Sequence, residues 1–127
     1  MARNVAGVLG ALIVWMAIVT LGNLLLRYAW ADYAVVEKAM TFTAAMMAAR
    51  LALGVLASLG AGYCGAWITR RNDRVLAIVT ILLVLLFIPV HYGLWNNFPL
   101  WYHLTFFASL VIMTPLGARL FRSGDGR

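Results

Sequence analysis

The chain has 127 residues, 65% of them hydrophobic and only 11% charged. A soluble domain carries about 25% charged residues, so an ordinary water-soluble globule is excluded and a membrane-embedded chain is expected. The net charge of +6 does not point to nucleic acid, because the basic residues stand mainly at the ends of apolar runs, the footprint of membrane orientation.

The first apolar run extends from Val5 to Leu26 and is closed by Arg27. Ala29-Trp30-Ala31 has the form of a signal-cleavage site, but a signal core is only about 7–15 residues long and Arg27 intervenes, so a retained span is expected. Tyr28 to Met40 is the one sizeable connection, with Asp32, Glu37, Lys38 and the aromatic residues Tyr28, Trp30 and Tyr33. Its rings suit the headgroup region, and Val35, Val36, Ala39 and Met40 recur at helical spacing, which fits a short interfacial helix.

The second run, 41–69, is long. Counting back from its basic end at Arg70, a hydrocarbon core of ~30 Å takes about 20 residues, which puts Arg50 at the opposite boundary rather than at mid-membrane. Arg70-Arg71-Asn72-Asp73-Arg74 forms a tight charged turn into the third run, Val75 to Trp95, and Asn96-Asn97-Phe98-Pro99 forms the next. The fourth run is Leu100 to Leu116, followed by Gly117 and the basic tail with Arg119, Arg122 and Arg127. Pro89 and Pro115 are expected near helix ends, where a lost backbone bond is more easily made good.

The fold class that follows is an all-α membrane protein: one membrane domain over 1–127, a four-transmembrane-helix bundle with spans over about 5–26, 45–69, 75–95 and 100–118. Orientation follows from charge. With the N-terminus inside, Arg3, Arg70, Arg71, Arg74, Arg119, Arg122 and Arg127 lie inside, and only Arg27, Lys38 and Arg50 lie outside or at that boundary. That asymmetry in short loops predicts both termini in the cytoplasm.

Three features could carry function. Gly54, Ser58, Gly62 and Ala66 recur every fourth residue, as do Ala57, Ala61 and Gly65, and together they make a smooth helix-packing face for the first or fourth span or for a second copy. Arg50 either snorkels to the headgroups and pairs with Glu37, or binds an anion, with lipid phosphate the most accessible. His91 and His103 flank the second tight turn at comparable depth. They read either as amphipathic members of an aromatic belt with Tyr92, Trp95, Phe98, Trp101 and Tyr102, or as ligands of a haem iron or shared metal.

The acids Asp32, Glu37, Asp73 and Asp125 all fall in loops or the tail. Small multidrug-resistance transporters share this size and helix count but depend on an acid in the first helix, where Asn23 is the only strongly polar side chain here. No hydrolase constellation is present in the spans, and the single cysteine, Cys64, reads as an inert thiol in an apolar setting. No enzyme activity, metal or cofactor is expected.

The stretch Ala61-Gly62-Tyr63-Cys64-Gly65-Ala66-Trp67-Ile68-Thr69-Arg70-Arg71, with Pro115-Leu116-Gly117 near the basic end of the last run, resembles a pattern found in uncharacterised small four-helix proteins of the bacterial inner membrane. The resemblance covers the chain in layout and implies that location. The leading functional expectation is a non-enzymatic interaction, assembly or accessory component of the cytoplasmic membrane, with the bilayer and other subunits or itself as partners. A small-molecule or lipid transporter or channel, and a haem- or quinone-binding redox subunit using His91 and His103, are the alternatives.

Overall fold

A computed structural model describes residues 1–125, with side chains through Phe121. Arg127, and the side chains of Arg122 and Asp125, lie outside the described residues. The elements are α1 (Ala2–Ala29), α2 (Tyr33–Ala39), α3 (Ala44–Thr69), α4 (Asp73–Gly93) and α5 (Leu100–Asp125). Four of these, α1, α3, α4 and α5, are long and apolar enough to cross a membrane. The protein is a multi-pass membrane protein built as a four-helix bundle, and the short α2 lies between the first two spans.

Local chemistry sets the boundaries. The Thr43 hydroxyl accepts from the Met46 amide at 3.3 Å and caps α3. Asn72 does the same for α4, accepting from Arg74 and Val75, while Asp73 places a negative charge in the first turn. The reversal between α3 and α4 is so tight that Arg70 and Arg71 both take left-handed backbone, with φ of 51° and 71°. The Arg71 amide donates back to Ala66 O at 2.9 Å, satisfying one of the carbonyls left open at the helix end. At the far end of α5 the expectation needs correction. The helix continues past Pro115 to Asp125, so that proline lies inside the helix and removes the N–H that would reach the Val111 carbonyl.

The small-residue face of α3 is what assembles the bundle. All seven of its residues, Gly54, Ala57, Ser58, Ala61, Gly62, Gly65 and Ala66, are buried, and the face is divided between two neighbours. Toward α5, Gly62 lies directly against the Thr114 carbonyl, and Gly117 returns the contact against the backbone of Leu59. Toward α1, a Cβ on Gly65 would meet Ala11 Cβ at 3.6 Å and Gly7 O at 3.9 Å. Backbones can approach this closely only where side chains are absent, and in lipid such van der Waals contact replaces the hydrophobic drive. Farther along, the Trp15 indole is buried and donates to Ser58 Oγ at 3.1 Å, and Ser58 in turn donates to Gly54 O at 2.8 Å. Outward-facing positions are large and apolar, among them Ile13, Leu21, Leu25, Ile81, Leu85 and Leu104. Small residues at the helix seams and large apolar residues on the outer faces is the distribution a lipid solvent selects.

Candidate functional site

Asn23, Arg50, His91 and His103 lie toward the end of the bundle that carries α2. Arg50 lies about 20 residues before Arg70, or ~30 Å along a helix, so the two ends of α3 sit at opposite boundaries of a bilayer core. Arg50 points inward there, its side chain only 23% exposed. Its Nη1 donates to Tyr33 Oη at 3.0 Å and its Nε to Tyr102 Oη at 3.3 Å. Its Cζ lies 4.7 Å from the centre of the Phe42 ring, a cation–π contact. Tyr33, fully buried, passes the network on by donating to Asn23 Oδ1 at 3.1 Å.

Glu37 belongs mainly to another arginine. Arg27 contacts Glu37 Oε1 with Nη2 at 2.6 Å and Nε at 2.8 Å, whereas Arg50 Nη1 is 3.9 Å from Glu37 Oε2. The pairing of Arg50 with Glu37 is therefore present but secondary, and tyrosine hydroxyls are the closer partners. Sequence reasoning placed Tyr33 and Tyr102 in the headgroup region and did not connect them to Arg50. The available signals were Asn23, alone in an apolar run, and Arg27, ten residues before Glu37.

His91 and His103 do face each other. Their Nδ1 atoms are 2.6 Å apart, both rings are buried, and one must donate to the other. Two imidazoles sharing a metal at ~2.0–2.1 Å per bond would stand farther apart than this, so the pair as arranged is a hydrogen bond. His91 stacks on Tyr102 at 6.1 Å and packs on Phe106 at 4.4 Å; Trp95 covers His103 at 4.8 Å with planes 14° apart. His103 Nε2 is buried with no partner. Among the described residues, no three His, Cys, Asp or Glu side chains converge as a metal site.

The expected aromatic belt divides. Tyr92 is 84% exposed, with Trp95 and Trp101 about half exposed, while Phe98 and Tyr102 are 5% exposed and stack on each other at 4.3 Å inside the bundle. Cys64 is half-buried, at some distance in sequence from all of this.

Between Arg50 and His91 lies a cleft of about 90 Å³, walled by Trp15, Phe87 and Phe106 and reached by Asn23 and Tyr102. Its lining residues that are not buried are Val19 and Asn23 of α1, Arg50 and Leu53 of α3, and Phe87, Val90 and Leu94 of α4. The cleft is thus partly open, with apolar side chains of three spans around its opening. Two larger clefts, of about 320 and 460 Å³, lie at the opposite end, the first bounded by both Arg71 and Asp73 and the second largely apolar. No known protein family matches this chain, and no curated protein or solved structure does.

Proposed function

We propose that this protein is a non-enzymatic accessory component of the bacterial cytoplasmic membrane, with both termini in the cytoplasm. In this reading it is a rigid four-span body that presents a polar recognition site at the outer end of its bundle. The observation that carries the reading is the inward-turned Arg50, held by Tyr33 and Tyr102 beside a partly open cleft. A boundary arginine that turns inward to buried partners, rather than snorkelling to the headgroups, is a candidate recognition group.

A static role is supported by the rest of the interior. α3 meets α5 backbone to backbone at Gly62 and Gly117, contacts that leave little room for a conducting path there. The buried hydroxyls of Ser58, Thr69 and Ser109 each donate to a carbonyl of their own helix rather than standing beside a base. The test is extraction in mild detergent and identification of what stays bound. A stoichiometric membrane partner or ligand that is lost on Arg50→Gln is expected. A lone monodisperse monomer with nothing bound, identical for wild type and variant, would overturn the reading.

A further inference from the structure

We infer that the cleft beside Arg50 takes the carboxylate head of a single-chain amphipath drawn from the bilayer, an assignment that rests on the recognition-site reading above and names its ligand. Charge comes first. Arg27 and Arg50 contribute two positive charges and Glu37 one negative, and Glu37 sits more than an ångström closer to Arg27 (2.6 Å) than to Arg50 (3.9 Å). Asp32 and Lys38 of the same segment are exposed and offset each other. The 2.6 Å contact between His91 and His103 requires one imidazole to accept, so that pair supplies no negative charge and at most one added proton. The site thus holds an excess cation at the lipid boundary, and the guanidinium is hydrogen-bonded through Nε to the Tyr102 hydroxyl and through Nη1 to the Tyr33 hydroxyl.

Shape narrows the class. The cleft is small, about 90 Å³. That suits a small charged head and its first methylenes, with the rest of a ligand left outside the cleft. A carboxylate can take paired N–H donors from a guanidinium, with Asn23 and Tyr102 lining the same space. Around the head, Val19, Leu53, Val90 and Leu94 line the cleft with apolar side chains, so the chain of the ligand would leave the cleft along an apolar wall while its head is held inside.

The test uses the full chain in detergent micelles or nanodiscs, with tritiated palmitate, hexadecanol of equal chain length and phosphatidylglycerol as probes. Saturable palmitate binding is expected, with hexadecanol and phosphatidylglycerol weaker by about tenfold or more, since the carboxylate combines a small head with a full charge. Arg50→Gln should weaken palmitate by a similar factor. Val90→Trp, which narrows the mouth and leaves Arg50 in place, should also weaken it, and thermal melts show whether each variant keeps the fold. Equal binding of palmitate and hexadecanol, displacement by phosphatidylglycerol at equal concentration, or unchanged palmitate binding by folded Arg50→Gln would each overturn the assignment. If palmitate fails to bind while a partner still co-purifies in an Arg50-dependent manner, the ligand class falls and the recognition site stands. If neither depends on Arg50, both fall.

Discussion

His91 and His103 come from different helices and touch Nδ1 to Nδ1 at 2.6 Å, closing the α4–α5 hairpin with a buried hydrogen bond. Each ring is the other's polar partner. Replacing His103 with Phe should leave His91 Nδ1 buried and unpaired, lowering stability by ~1–3 kcal/mol. The double variant His91→Phe/His103→Phe should lose less than the sum of the two single changes, because it leaves no orphan behind. Thermal melts of the four proteins in one detergent measure this; strict additivity would show that the contact contributes nothing.

The α3–α5 seam gives a graded series. A Cβ at Gly62 would overlap the Thr114 carbonyl, and one at Gly117 would overlap Leu59, backbone atoms that cannot rotate aside. Gly62→Ala and Gly117→Ala should each destabilise the bundle by several kcal/mol or prevent its accumulation, beyond the ~1–3 kcal/mol usual for overpacking. Gly93 is the control: nothing lies within 4 Å of its Cβ position, so Gly93→Ala should be neutral or stabilising by about 0.5–1 kcal/mol. Thr114 Oγ1 is buried without a partner, and Thr114→Val, which removes that hydroxyl at nearly constant volume, should leave the melting temperature unchanged or raise it.

These positions show where the sequence was readable. The spans followed from uninterrupted apolar runs and from Arg27, Arg70 and Arg119 at their ends, because lipid imposes length and composition on any crossing segment. The small face of α3 was legible for the same reason: spacing by four fixes which residues share a side. Its division between α1 and α5 was not, since that depends on where two other helices lie. The site was legible only in pieces. Arg50, Glu37, His91 and His103 stand out by type, but the rotation of α4 and α5 decides that the two imidazoles meet. The same rotation turns Tyr102 inward and leaves Tyr92 exposed, while the connection between the helices folds Phe98 inward. Pro115 misled because a helix in a bundle can tolerate a proline that would end one in water.

Glu37 offers a charge test of the cleft. It is the nearest carboxylate to Arg50, at 3.9 Å, and is 22% exposed in its side chain. Glu37→Gln removes the competing anion without altering the cavity lining. Palmitate affinity should rise severalfold, while stability changes by less than about 1 kcal/mol, as is usual for partly exposed ion pairs. A fall in affinity would mean that Glu37 positions Arg50 rather than competing for it.

Orientation can be decided by labelling. Seven of the ten basic residues lie at the Arg70 end of the bundle or in the two terminal segments, and the other three, Arg27, Lys38 and Arg50, lie at the α2 end. Positive charge resists translocation, so the Arg70 end should face the cytoplasm. In a Cys64→Ser background, Lys38→Cys should react with a membrane-impermeant maleimide on intact bacterial cells, and Arg74→Cys only after permeabilisation. Both positions are exposed on the folded chain, so access depends on sidedness and not on burial. Labelling of Arg74→Cys in intact cells, with Lys38→Cys protected, would invert the protein and place the Arg50 cleft at the cytoplasmic face.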